Sequence, residues 1–254
     1  YDQDRIVEAV NSCGQLSFDY DLGGRVVGVH YPDGSIAGYE WNQANLCTAM
    51  LYPDGSRVEY SYDSFGNLVK TVLPKDTVHY QYDKKHRLIK KQSDKLHHSF
   101  SYHENGKLES MRVQDDMGIV LEIRYNYDEY YSLVTEKTIL ERGREAVSYG
   151  YAYDKRGFLV KVLKNGEIFG EYSYDAAGNR IYSKESGEEA GYTYNTENQL
   201  LEKKVSGALY TYEYNARGDL VCEKVNGRVL SKYKYNALGQ LLQAVNEKGT
   251  VNYS

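Results

Sequence analysis

Seven aspartates recur at one slot along the chain: Asp2, Asp21, Asp63, Asp83, Asp128, Asp154 and Asp175. A row of carboxylates can ligate a hard cation, or act as general acids and bases. The same slot, however, holds Asn42, Asn195, Asn215 and Asn236, and once His103. Asparagine keeps an acceptor oxygen but lacks the charge and the titratable proton that either chemistry uses. A residue that folds its side chain back to cap a turn can be Asp or Asn. Turn capping is therefore the expected role. The six histidines raise the question of zinc, above all His79, His97, His98 and His103. In repeat register His98 falls on one strand face, His79 and His97 fall on the other, and His103 is a turn residue. They are not expected to converge on a tetrahedral site. Cys13, Cys47 and Cys222 are too few and too scattered for a disulfide framework or a zinc site. Cys47 stands in a column of Leu and Val and reads as a small buried hydrophobe. The acidic pairs Asp115-Asp116 and Glu188-Glu189 read as solvated hairpin tips. No Walker A, GxGxxG, HExxH or GxSxG string occurs. No catalytic residue, cofactor-binding residue, cofactor or metal site is nominated, and the chain is expected not to be an enzyme. The nearest departures that could carry chemistry are His103 in the Asp column and Arg180 in a column of leucines.

These residues belong to a short frame that repeats through the whole chain. With the Asp/Asn slot as position zero, units start near residues 2, 21, 42, 63, 83, 103, 128, 154, 175, 195, 215 and 236. Position −1 is aromatic every time, from Tyr1 and Tyr20 through Trp41 to Tyr235. Position −3 is aromatic wherever the sequence reaches it, from Phe18 and Tyr39 to Tyr233. The residue between them is small or polar, the alternation of a strand with one buried face. Position +3 is Gly24, Gly66, Gly106, Gly157, Gly178, Gly218 or Gly239, with Asn45 and Asn198 in the same slot. Gly and Asn tolerate positive φ, so the frame ends in a hairpin turn. His86 and Tyr131 interrupt that column, and those two turns are expected to differ in shape. At +5 an apolar residue returns, from Val7 to Leu241, with Arg180 the exception. The residue after it is often apolar too, which implies cover on both faces at that level. A second turn follows, such as Pro32-Asp33-Gly34, Pro53-Asp54-Gly55, Asn165-Gly166 or Asn226-Gly227. Two strands per unit predict about 22 to 24 strands, and an open sheet of that size must curl or split. The units from 103 and 128 are longer, with additions around Gln114–Glu122 and Thr135–Glu145 that read as longer hairpins. A local binding role for them stays open.

The net charge is −5 with both signs mixed along the chain. That is not the basic footprint of a nucleic-acid binder, so no nucleic-acid partner is expected. No run of 18 apolar residues occurs, so no membrane span is expected. The chain opens on Tyr1-Asp2 inside a repeat, with no signal peptide, and closes on Val251-Asn252-Tyr253-Ser254 inside another. This predicts an array cut at both ends from a longer chain. Strand edges left open there would invite self-association.

The frame Tyr-x-Tyr-Asp-x-x-Gly-x-Leu, iterated about every twenty residues across 1–254, closely resembles the YD-repeat (Rhs-repeat) family. Similar repeats occur in Rhs polymorphic toxins, wall-associated bacterial toxins, the B and C components of insecticidal toxin complexes, and animal teneurins. The resemblance implies an all-β fold, with about twelve β-hairpin units forming a spiralling sheet that is part of a hollow shell. It also implies a secreted or cell-surface location. In the toxins such a shell holds an effector; in teneurins a related shell takes part in adhesion. None of Pro32, Pro53 and Pro74 follows an Asp, so the self-cleavage at Asp-Pro found in toxin shells is not carried over.

The expected role is a non-enzymatic shell segment that encloses or presents an effector encoded elsewhere in the parent chain. The expected partners are then the rest of that chain and the enclosed effector. The alternative is a cell-surface module that binds glycans or protein receptors, with exposed tyrosines stacking on sugar rings. Against it, aromatics of neighbouring hairpins can stack on one another for ~0.5–1.5 kcal/mol per pair, with their hydroxyls hydrogen-bonded.

Overall fold

The computed structural model describes residues 5–11 and 14–253. Among them run twenty-four β-strands, from Glu8–Asn11 to Gly249–Asn252, and no helix. Asp2 and Cys13 lie outside the described residues. The chain separates into two compact units, Tyr1–Arg124 with Leu140–Glu145, and Tyr125–Ile139 with Ala146–Ser254. In the first, hairpin follows hairpin from Gly14–Tyr20 onward, each strand antiparallel to its sequence neighbour. The second repeats the pattern from Val147–Tyr153 to Gly249–Asn252.

One repeat, Glu167–Tyr174 with Arg180–Glu185, shows the construction. Tyr172 and Tyr174 share a face because alternate strand residues point the same way. The strands pair through Glu171↔Lys184, Tyr172↔Ser183 and Ser173↔Tyr182; the register then slips, and Tyr174 faces Arg180. The same slip precedes Tyr20, Trp41, Tyr62, Tyr82 and Tyr102. It also precedes Tyr153, Tyr194, Tyr214 and Tyr235. An extra residue in one strand bends it and increases its twist. The aromatic at −1 is thus the residue placed at a bulge.

The two turn columns are built differently. After position zero the chain closes through paired backbone bonds, Asp175 N to Asn179 O and Gly178 N to Asp175 O. The residue at +3 is left-handed, as at Gly178 (φ 92) and Asn198 (φ 61). His86 takes the same conformation at φ 60. Its turn keeps the same bonds, His86 N to Asp83 O and Asp83 N to Arg87 O. The expectation of a different turn therefore fails at His86: the ring is accommodated and the backbone carries the strain. At Tyr131 the expectation holds. There the closing bond runs from Asp128 N to Leu133 O, one residue longer, and Ser132 is the left-handed residue. The second turns are two-residue loops in the second unit, where Asn165-Gly166 and Asn226-Gly227 have positive φ at both positions. In the first unit Pro32-Asp33-Gly34 and Pro53-Asp54-Gly55 make three-residue loops, closed by Tyr31 N to Ser35 O and Tyr52 N to Ser56 O.

Contacts between strands join sequence neighbours, so each unit is a single layer. Its buried apolar residues are small: Ala37, Ala49, Val58, Val78, Val162, Ala190 and Cys222. Ala37, Val58, Val78 and Ala190 sit two residues before the −3 aromatic, on the same face. The opposite face is a ladder of charges. Ala49 lies across from Glu40 and Glu59. Arg57 binds both carboxylates, and Ala49 is fully covered at 0% exposure. Cover at the +6 level, expected on both faces, is incomplete: Ile181, Leu201 and Leu242 stay exposed. Cys47 is only half-buried; Cys222 is the buried cysteine. Asp115 is no solvated tip either. Arg142, from the next hairpin, grips both its carboxylate oxygens and the Gly118 carbonyl.

Candidate functional site

Among the described residues, the recurring aspartates and asparagines cap their own turns. The Oδ1 atom of position zero accepts backbone N–H groups from across its own turn. Asp63 receives Phe65 N and Asn67 N, both at 2.9 Å. Asn195 receives Glu197 N at 3.1 Å and Gln199 N at 2.8 Å. Asp83, Asp154, Asn42, Asn215 and Asn236 repeat the arrangement. A cap of this kind uses an acceptor oxygen and no charge.

The second oxygen or the amide nitrogen of position zero finds the side chain at +4, and the two are chemically matched. Where position zero is Asp, +4 is a donor. Arg25 binds Asp21, Asn67 binds Asp63, Arg87 binds Asp83 and Asn179 binds Asp175. In three of the four units with Asn at position zero, +4 is an acceptor; at Asn42 it is Leu46. Asn195, Asn215 and Asn236 donate to Gln199, Asp219 and Gln240. The +4 side chain then reaches the next turn. Arg25 donates to Asn42 O and Asn45 Oδ1, Arg87 to His103 O, Asn179 to Asn198 Oδ1 and Gln199 to Gly218 O. Where +4 is Phe158, Arg156 at +2 takes over, binding Asp154 and reaching Asp175 O. The side-chain bonds from Arg25, Asn67 and Asn179 are the main reason Asp21, Asp63 and Asp175 are held below the usual carboxylate range.

The aromatic columns also divide their work. At −1 the hydroxyl donates to the backbone carbonyl that opens the return strand of the preceding repeat. Tyr62 binds Cys47 O, Tyr82 binds Leu68 O, Tyr102 binds Leu88 O, Tyr174 binds Leu159 O and Tyr214 binds Leu200 O. Trp41 Nε1 serves Val26 O in the same way. Those carbonyls need a partner. Pairing of Leu159–Lys164 with Glu167–Tyr174 starts only at Lys161↔Glu171. Strands of adjacent repeats therefore splay at this end, and the aromatic hydroxyl bridges the gap. Burial raises the hydroxyl pKa of Tyr62, Tyr82, Tyr194 and Tyr214, keeping them protonated as donors. Phe, which lacks a donor, never stands at −1 but does at −3, as Phe18 and Phe100.

The histidines lie as register predicts. His98 faces Lys91 and Val113, and its pKa is lowered by burial and then by Lys91. His79 and His97 both stand opposite Gln92 on the other face. His103 occupies a standard turn. Among the described residues no three His, Cys, Asp or Glu side chains converge on a point that could hold a metal. Arg180 lies between two −3 rings, 5.7 Å from Tyr172 and 5.1 Å from Tyr192, while its carbonyl accepts from Tyr194. Its guanidinium lies 3.9 Å from the Glu185 carboxylate, an ordinary ion pair on the ladder. An open groove of about 630 Å³ lies between the turns at Asp63 and Asp83 in the first unit.

Comparison with known proteins fits this geometry. Residues 1–81 and 80–254 match the family described as Teneurin YD-shell. Double-stranded DNA deaminase toxin A of Burkholderia cenocepacia (strain H111) is 31% identical over 106 residues, 41% of this chain and 7% of that protein. The solved TcdB2-TccC3-Cdc42 structure matches with a TM-score of 0.72 at 15% identity, over 91% of this chain and 14% of that one. At such identity the likeness concerns the fold, and this chain spans a small part of either relative. With repeat frame, turn caps and family match in agreement along its length, the chain belongs to the teneurin YD-shell family.

Proposed function

We propose that residues 1–254 work as one continuous YD-repeat array, a wall segment of a hollow, spiralling shell that encloses or presents a toxin or effector domain encoded elsewhere in the parent protein. The observation that carries this reading is the use made of the recurring side chains. Position zero caps its turn, +4 ties that turn to the next, and −1 closes the splay between repeats. The groups that recur are spent on holding up a one-layer wall. Catalysis needs unlike groups held together with matched pKa values, and the frame leaves no column for that. The array has no chemistry of its own in this reading. The deaminase toxin is in keeping with it, since that name describes an effector activity while the residues described in this chain form hairpin array. The assembled shell would then act outside the producing cell.

The test is limited proteolysis of the intact natural polypeptide, with and without Tyr174→Ala and Tyr214→Ala. A non-repeat segment that resists protease until the wall is weakened supports enclosure. Equal cleavage with and without those changes refutes it. Turnover of peptide, glycoside or phosphoester substrates, abolished by Arg180→Ala with the fold intact, would also overturn the wall reading. The second reading, recognition of glycans or cell-surface receptors, is favoured by the half-exposed tyrosines at −3. A glycan array separates the two.

A further inference from the structure

The groove between the turns at Asp63 and Asp83 brings three features together. It is lined by Phe65, 75% exposed, in a variable column that elsewhere holds Ala44, Ala177 and the exposed Tyr130 and Leu238. Its floor lies where adjacent repeats splay, beyond the last rung Lys70↔His79. Its far side is His86, a ring-bearing residue held at φ 60 where the frame uses Gly or Asn. Part of the use of that side chain is the wall's own tie, since His86 accepts from Asn67 as Asn45 does from Arg25 and Asn198 from Asn179; an imidazole differs from Asn in carrying a second ring nitrogen beyond that tie.

The hydrogen-bond chain sets the state of that ring. The Asp63 carboxylate accepts from Asn67 Nδ2 at 2.8 Å, which fixes the amide orientation. The other hydrogen of Asn67 Nδ2 meets His86 Nδ1 at 2.9 Å. An amide nitrogen only donates, so Nδ1 accepts, and the neutral imidazole carries its proton on Nε2. His86 thus offers a fixed donor on a residue that lines the groove. Lys84 and Gln81 also line it, and among the described interactions neither spends its side chain on a protein partner. Lys90 stands directly across the ladder from Gln81. Of the six lysines and arginines in residues 84–95, Lys84 lines the groove; the Asp63 and Asp83 carboxylates line it too and are engaged by Asn67 and Arg87.

We propose that this groove is a binding site for a carboxylate-bearing sugar, a uronic-acid unit of an acidic glycan. The sugar's C–H face packs on Phe65, whose ring face is electron-rich. Its carboxylate takes the Lys84 ammonium and the His86 Nε2 proton as a charge-assisted pair of donors. Gln81 is left for a ring hydroxyl. The volume falls within the ~300–1,000 Å³ range of small-ligand sites. A flat base would suit a parallel slot, but Phe65 and His86 stand edge-on, 61° apart with centroids at 4.8 Å. The site does not depend on the enclosure reading.

The experiment titrates the 254-residue chain with trigalacturonate, maltotriose, adenosine monophosphate and heparin, followed by saturation-transfer NMR and calorimetry. Trigalacturonate should bind and maltotriose should bind at least about tenfold more weakly. Phe65→Ala and Lys84→Ala should each lose about tenfold. His86→Asn, which keeps the left-handed turn and an acceptor for Asn67 as at Asn198, should lose binding while the melting temperature holds. Equal binding of maltotriose, tighter binding of the nucleotide, indifference to Phe65→Ala with affinity that follows heparin charge, or no saturation at millimolar sugar would each overturn the proposal.

Discussion

Replacing Tyr214 with Phe removes one hydroxyl and leaves the ring in place. That hydroxyl donates to the Leu200 carbonyl at 2.9 Å, where adjacent repeats have stopped pairing. A hydrogen bond of this kind is worth ~0.5–1.5 kcal/mol net. Leu200 is half-buried, so water partly reaches the stranded carbonyl, and the expected cost is about 1 kcal/mol. Tyr212, two residues earlier on the same face and equally half-buried, belongs to the column where Phe18 and Phe100 also stand. Tyr212→Phe should stay within about 0.5 kcal/mol of wild type. Tyr214→Ala should cost about 2 kcal/mol, because the ring it removes is half-buried and the ~3–5 kcal/mol range applies to full burial. A repeat array opens segment by segment, which makes a global midpoint a poor readout. Native-state hydrogen exchange of the strands Leu200–Val205 and Ala208–Tyr214 reads the local opening directly. The amides there should exchange about fivefold faster in Tyr214→Phe and unchanged in Tyr212→Phe. If both variants lose protection equally, the division of labour between the two columns is wrong.

Gly178→Val should be far more damaging in a thermal melt than Gly187→Ala. Both glycines are left-handed, but a Cβ on Gly178 would meet Phe158 Cζ at 2.9 Å, whereas one on Gly187 meets nothing within 4 Å. In acid, the caps at Asp21, Asp63 and Asp175, depressed chiefly by the bonds from Arg25, Asn67 and Asn179, contribute stability above the unfolded carboxyl pKa of about 4. They lose it as pH falls through the folded values, while Asn195 and Asn236 have no proton to gain; exchange near pH 3 should show the Asp turns loosened and these Asn turns protected. In alkali the sign reverses. Tyr62, Tyr82, Tyr194 and Tyr214, raised by burial, stabilise the wall fully below about pH 10 and lose that contribution as pH rises through their folded values, which circular dichroism across that range would show.

Most of the fold was legible because each hairpin is encoded locally. The Tyr-x-Tyr alternation, the Asp or Asn cap and the left-handed residue at +3 lie within about ten residues of one another, so spacing alone places strand, turn and return. The matching of position zero with +4 was equally legible and was missed: Asp21 with Arg25 and Asp83 with Arg87, against Asn195 with Gln199 and Asn236 with Gln240, pair donor with acceptor each time. So was the exclusion of Phe from −1. What spacing could not give is whatever depends on where repeats meet. The Leu159 carbonyl that takes the Tyr174 hydroxyl is fixed by the splay between strands. Arg142 meets Asp115 because two long hairpins bring their tips together. From sequence the turn at His86 is expected to differ in shape, since glycine preference is visible in sequence and tolerance of strain is not.

A single layer explains why the frame is so strict. A globular domain buries large side chains and spreads its stability over a core, where hydrophobic residues of similar volume exchange at modest cost. Here the buried apolar residues run no larger than valine, so little burial is available to offset a poor turn or an open strand end. Each repeat must therefore close its own turn, hold the next one and stitch its splayed edge with side-chain hydrogen bonds, and those bonds depend on particular donors and acceptors. Tyr at −1 loses a bond when exchanged for Phe, and Asp at position zero facing Arg25 or Arg87 at +4 loses a charged partner when exchanged for Asn. By the same argument, a group that the frame does not spend on a cap or a tie is free of the wall's demands. His86 closes its turn and takes the tie from Asn67 on Nδ1, which leaves its Nε2 edge and the exposed Phe65 ring beside it. Departures that the wall does not need are where a second function has room to arise.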